Sequence, residues 1–162
     1  MSLFDRRTFL ALTFALGACG FQPAYGPAGP AAGLRGSIEV DAPNTENGFH
    51  LVRRLEQRLG QPANARFGLA YDLALSEDDL AITKAQDINR YNVLGRIDYA
   101  LRDLTSGAVV HSGRVENFAS YSATGSTVGT ATAKSAAYER LMIRLADQIT
   151  TRLIATAAGW QK

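Results

Sequence analysis

Phe67, Leu69, Tyr71, Leu73 and Leu75 place a large apolar side chain at every second position over nine residues. A period of two sets all five on one face of an extended strand, whereas a helix would scatter them around its axis. Ser76-Glu77-Asp78-Asp79 interrupts the pattern, and Leu80 and Ile82 resume it. The spacing therefore predicts one long strand bent at a bulge. A second alternation, Tyr91, Val93, Ile97, Tyr99 and Leu101, continues toward Leu104, and Gln86-Asp87-Ile88-Asn89 before it suits a reversal. Thr105-Ser106-Gly107 has the chemistry of a tight hairpin turn, and a third strand follows from Val109 to about Tyr121. Residues 66–121 thus read as a three-stranded antiparallel meander.

Helical spacing flanks this meander. Ser37-Ile38-Glu39-Val40-Asp41 alternates as a short strand, Pro43 ends it, and Asn44 or Thr45 can cap a helix. From Glu46 to Leu59, Val52, Leu55 and Leu59 form an apolar stripe, with Arg53, Arg54 and Arg58 directed away from it. Gly60 and Pro62 close that helix. Near the other end, Tyr138, Leu141, Leu145, Ile149 and Leu153 form a second stripe, with Arg140, Arg144, Asp147 and Arg152 on the other sides. That helix is expected to start between Ala131 and Ser135, leaving residues 120–136 as a loop or strand end. The elements combine as an α+β two-layer sandwich in the order β-α-β-β-β-α, with two helices on one face of a four-stranded mixed sheet.

Such an arrangement leaves the other sheet face without helices. On the second meander strand, Arg90, Leu94, Arg96, Ala100 and Arg102 point there, making that face both cationic and apolar. A surface of this mixture can meet an amphiphile or the wall of another protein; it equally suits an ordinary solvated face with scattered arginines.

The first residues read as an address. Arg6 and Arg7 precede an apolar run from Phe9 to Ala18 that is too short for a stable membrane span of about 20 residues but suits a secretory signal. Leu16-Gly17-Ala18-Cys19 has the order of a bacterial lipobox, and the chain's one cysteine falls where the apolar run stops. Residues 1–18 are expected to be a signal peptide, with Cys19 acylated at the start of the mature chain. Asp5-Arg6-Arg7-Thr8-Phe9-Leu10 also has the form of a twin-arginine signal, so either export route remains open. Residues 19–36 carry three of the five prolines and read as a lipidated tether, with residues 37–162 as a single domain.

Chemistry-bearing motifs are sparse. With 17 Lys and Arg against 15 Asp and Glu, the net charge of +2 does not favour a blanket grip on nucleic acid. One cysteine excludes an internal disulfide or a multi-cysteine metal site. Glu77-Asp78-Asp79 lacks the spaced ligands of a calcium loop and reads as a solvated bend. His50 and His111 accompany no recognisable nucleophile motif, and Thr124-Gly125-Ser126 with Gly129 is not a phosphate loop. Neither an enzymatic activity nor a cofactor or metal is expected, although a small hydrolase using His50 or His111 stays open as an alternative.

Cys19-Gly20-Phe21-Gln22-Pro23-Ala24-Tyr25-Gly26 resembles the start of alphaproteobacterial lipopolysaccharide-assembly lipoproteins, the LptE-like family. Tyr99-Ala100-Leu101-Arg102-Asp103, the Thr105-Ser106-Gly107 turn, Ser112-Gly113-Arg114 and Ala119-Ser120-Tyr121 are similar to that family's central hairpin, and the last helix, Ala136 to Leu153, is similar in tone. The resemblance implies an outer-membrane lipoprotein on the periplasmic side that plugs and helps assemble an LptD-type β-barrel and assists lipopolysaccharide delivery by binding. It also implies lipopolysaccharide contacts through basic residues. Those on or beside the central strands, Arg90, Arg96, Arg102 and Arg114, are the candidates, with Lys134 at the start of the last helix. A free-standing periplasmic lipoprotein that binds another amphiphile or peptidoglycan is the alternative.

Overall fold

The computed structural model describes residues 26, 29, 31–82, 88–123 and 126–161, with side chains described outside 80–82 and 88–89. The leader, Cys19, most of the tether, Gln86-Asp87 of the expected reversal and Thr124-Gly125 lie outside these residues. The elements are β1 (Ile38–Val40), α1 (Glu46–Leu59), β2 (Phe67–Ile82), β3 (Ile88–Asp103), β4 (Val109–Ser122) and α2 (Thr127–Trp160). This is the β-α-β-β-β-α order expected from the spacing.

The strands lie side by side in chain order. β1 runs parallel to β2 through Ile38↔Phe67 to Val40↔Leu69, as a strand–helix–strand crossover requires, and β2, β3 and β4 are antiparallel neighbours. The apolar alternation sets the register. Leu73 opposes Ile97, which opposes Val115, and Leu69 opposes Leu101, which opposes His111. Both alternations therefore fall on one inner face, where Leu69, Val93, Ile97, Leu101 and Val115 are buried. A one-residue slip in any strand would turn its apolar set toward water.

The helices cover that face. Thr45 caps α1 by accepting from the Gly48 amide at 3.0 Å, and Gly60, at φ +83°, takes the chain out of the helix through a backbone conformation that favours glycine. Leu51 and Leu55 are fully buried, and Val52 and Leu59 nearly so. α2 lies over β3 and β4 and packs along α1, burying Leu141, Leu145, Ile149 and Leu153. Gly95 is what lets α2 sit so low on β3: an added Cβ would lie 2.8 Å from Leu145 Cδ1 and 3.1 Å from Leu141 Cδ2. The arginines of α1 are not merely solvated. Arg54 donates twice to Asp147 of α2, at 3.0 and 2.9 Å, and Arg53 reaches Glu139 at 2.9 Å. The paired N–H···O bonds to Asp147 raise the Arg54 pKa.

Two sequence expectations need correction. α2 begins at Thr127, not between Ala131 and Ser135, and it spans 34 residues, about 51 Å at 1.5 Å per residue. Ser126 starts it by accepting from the Gly129 amide at 3.1 Å. The first two turns are rich in Ala and Thr and mostly exposed, so no apolar stripe marked them. At its other end the stripe runs on past Leu153 to Ala157 and Trp160, whose ring meets Phe67 edge-on at 5.1 Å. Despite its length, α2 is not apolar enough to cross a membrane, nor is any helix among the described residues.

Glu77 also lies elsewhere than its acidic run suggests. β2 does not bend into solvent at 76–79; it stays paired with β3 through Asp79↔Tyr91, and the register shifts only beyond that point. Strand alternation carries Glu77 to the inner face and Asp78 to the outer one, and Glu77 is only partly exposed. Ala31 and Leu34, which precede β1, are also buried in the core.

Candidate functional site

The outer sheet face is built from the even-numbered residues of β2 and β3 and their partners on β4. Three rungs cross its middle: Asp72–Asp98–Arg114, Ala74–Arg96–Glu116 and Ser76–Leu94–Phe118. The small residues of β2 leave a shallow groove of about 580 Å³, with Leu94, Arg96, Glu116 and Phe118 along its lining. Leu94 is 37% exposed and Phe118 54% exposed. Near the hairpin, Leu104 and Val109 are also half exposed, beside Arg102, which opposes Val109. Large apolar side chains standing in water among arginines are unusual for a solvated face and suit a contact surface.

The predicted basic residues divide into three groups. Arg96 and Arg114 converge on Asp98: Arg114 Nε lies 2.7 Å from Oδ1 and Arg96 Nε 3.9 Å from Oδ2. The Arg114 hydrogen bond, helped by the charges of Arg114 and Arg96, holds the Asp98 carboxyl below the usual carboxylate range. Both pairs are exposed, so water and salt screen them. Arg90 and Arg102, toward opposite ends of β3, have no carboxylate partner among the described residues. Lys134 is occupied elsewhere, at 2.7 Å from Glu77 Oε2 on the helix side of the sheet.

Glu77 is thus a satisfied inner-face carboxylate. Besides Lys134 it accepts from the Tyr121 hydroxyl and, at 3.3 Å, from the Tyr138 hydroxyl. Burial alone would push its pKa up, but Lys134 and the two phenols reverse this and lower it. Tyr91 stacks on Tyr121 with ring centroids 5.1 Å apart, closing the cluster. Lys134 therefore ties α2 to β2, and the outer face does not include it.

Arg90 gains a neighbour that sequence spacing missed. A cleft of about 510 Å³ at the β4 edge is lined by Arg90, Ser120, Tyr121, Ser122, Ala133 and Arg140. Two guanidinium groups and the Ser122 hydroxyl there provide donors suited to a phosphate or carboxylate, while the Ser120 hydroxyl donates to Asn92 Oδ1 at 2.5 Å. Arg140 comes from α2 and also donates to the Ser120 carbonyl at 3.3 Å. Fifty residues separate it from Arg90, so no local motif could have joined them.

The two histidines have separate surroundings. His50 faces Glu139 at 3.7 Å, and His111 lies 3.4 Å from the Tyr99 hydroxyl, with burial lowering its pKa. Among the described residues, no cluster of three or more histidine, cysteine or acidic side chains could hold a metal ion.

Comparison with known proteins decides the lineage. The lipopolysaccharide-assembly LptE family profile matches residues 36–153. The chain belongs to the LptE family. A lipoprotein crystal structure from Caulobacter crescentus is similar at 28% identity and TM-score 0.64, covering 83% of this chain and 99% of its own. The rare lipoprotein B of Shewanella oneidensis shares the fold at 14% identity and TM-score 0.58, over 78% of this chain and 98% of its own. A minor lipoprotein of Acinetobacter baumannii does so at 18% identity and TM-score 0.55, over 74% and 89%. No curated protein matched the chain. Family membership supports a role in lipopolysaccharide assembly.

Proposed function

We propose that this LptE-family chain is an outer-membrane lipoprotein, anchored on the periplasmic side through Cys19, that plugs an LptD-type β-barrel, helps it assemble and assists lipopolysaccharide delivery by binding. The observation that carries this reading is the sheet face that no described helix covers, where Leu94 and Phe118 stand exposed among Arg96, Arg114 and Glu116. A plug must present both polar groups to a barrel lumen and apolar area where lipid or barrel wall is met. The face offers both on a rigid sheet, which holds the contact geometry more firmly than a loop would.

Arg90 and Arg102 are the foremost candidates for the phosphates of lipopolysaccharide, because no described carboxylate neutralises them. Arg140, beside Arg90, adds a second guanidinium at one end. Arg96 and Arg114 can join by exchanging Asp98 for a phosphate, while Lys134 is withdrawn into its pair with Glu77. Binding of purified lipopolysaccharide to the lipoprotein should weaken about tenfold or more on Arg90→Glu with Arg102→Glu, with an unchanged circular dichroism spectrum. Unchanged affinity would assign the contact to other residues. Cys19→Ala should abolish acylation in mass spectrometry of membrane-isolated protein, and persistent acylation would exclude this anchor.

A further inference from the structure

The two edges of the sheet are treated differently. At the β4 edge, three arginines of α2 cover the strand: Arg144 donates to the Phe118 carbonyl at 2.9 Å, Arg140 to that of Ser120 at 3.3 Å, and Arg152 to that of Arg114. Those carbonyls would otherwise invite another strand, and cationic side chains over an edge are a known way of blocking it.

Among the described residues, no side chain covers the β2 edge in this way. β1 pairs only with Phe67 to Leu69, and the chain then turns away at Asp41 into the start of α1. The bonds from Phe67 N–H to the Ser37 carbonyl and from Asp41 N–H to the Leu69 carbonyl, both 3.0 Å, show that odd-numbered residues of β2 direct their backbone groups toward this edge. By strand alternation Tyr71, Leu73, Leu75 and Glu77 do the same. Among the described residues nothing bonds those outward N–H and C=O groups. From Tyr71 to Asp79 the open edge is about 30 Å long at about 3.3 Å per residue, longer than most strands. It carries no proline or lysine, and the register shift comes only after Asp79.

A trough of about 420 Å³ runs along this edge between β2 and the segment that turns away, with Asp41, Asn44, Asn47, Tyr71, Asp72 and Leu73 in its lining. The Tyr71 hydroxyl is buried in the same region with no hydrogen-bond partner among the described residues. Asp41 and Asp72 make the trough acidic, and Asp78 continues that charge on the outer face.

We propose that the free edge of β2, from Tyr71 to Glu77, takes an extended segment of the barrel chain as a fifth strand of the sheet, an inference that rests on the barrel reading above. The incoming segment alternates: apolar side chains lie inward beside Tyr71, Leu73 and Leu75, and neutral or cationic ones face Asp72 and Asp78. Main-chain bonds supply affinity, and the acidic trough selects the segment by charge.

The test uses the full lipoprotein isolated from membranes together with its barrel, alongside the lipoprotein alone. Amides of Tyr71, Leu73, Leu75 and Glu77 should exchange hydrogen about tenfold or more slowly in the complex, while those of Asp72, Ala74 and Ser76, bonded to β3, are protected in both states. Leu73→Pro removes one outward N–H without touching the β3 ladder and should lower barrel recovery about fivefold, the change expected from one lost backbone hydrogen bond, whereas Leu73→Ala should have less effect. Barrel recovery with unprotected odd-numbered amides would overturn strand addition and leave the barrel reading intact. Equal losses in the proline and alanine variants would also overturn it, since side-chain packing would then be responsible. Failure to recover any barrel would overturn both. If the proline variant does not fold, the amide comparison on the unaltered chain decides alone.

Discussion

Glu77 carries a charge onto the inner face of the sheet, where Lys134, Tyr121 and Tyr138 meet it. Its folded pKa lies below the ordinary carboxylate value, so the stabilisation it brings is fully present above the unfolded pKa of about 4.3 and is lost as pH falls through the folded value. Glu77→Gln should cost about 1–3 kcal/mol at neutral pH, because Lys134 loses its counter-charge and buried donors lose a strong acceptor. Denaturant unfolding at neutral pH and below pH 4 checks both statements. The variant should be weaker at neutral pH and should lose less on acidification, and an equally steep acid loss would contradict the assignment. In the sequence, Glu77 sits in a run of three acids and reads as solvent-facing. Its role depends on Tyr138 and Lys134, about sixty residues away, and only the packed helix brings them together.

At the scale of elements, the meander, both helices and their order were legible because apolar periodicity is local and each stripe faces the same core. The start of α2 was not legible: its first turns are held by the Ser126 cap and helix propensity, and neither leaves an apolar stripe. The close seat of α2 on β3 was equally invisible, since it depends on a missing side chain. Gly95→Ala should cost about 1–3 kcal/mol by forcing Leu145 and Leu141 off the strand, and thermal unfolding should show a lowered midpoint with native secondary structure. An unchanged midpoint would mean that α2 shifts freely across the sheet. The arginines of the two helices show the limit of reading faces from a stripe. Positions directed away from the core proved to join α1 to α2 and to cover the β4 carbonyls.

At the scale of the molecule, one layer of helices closes one sheet face, and no described helix covers the other. The arginine-bearing face could be foreseen from the alternation on β3, but its internal economy could not. Asp98 ties two of the arginines, Glu77 removes Lys134, and Arg140 joins Arg90 from another element. The apolar part of the face was only half visible, because Phe118 and Val109 lie on β4 and gain meaning beside Leu94 and Arg102 across the ladder. The same view explains why the fold alone would not reveal the role: a two-layer sandwich serves many purposes, and this one is distinguished by its family and by what stands on its open face. The most direct test places a photoreactive amino acid at Phe118 in the full lipoprotein and identifies, by mass spectrometry, what it captures in intact cells. The expected product is a covalent adduct with an outer-membrane β-barrel; capture of no barrel in cells that make both proteins would contradict contact through this face.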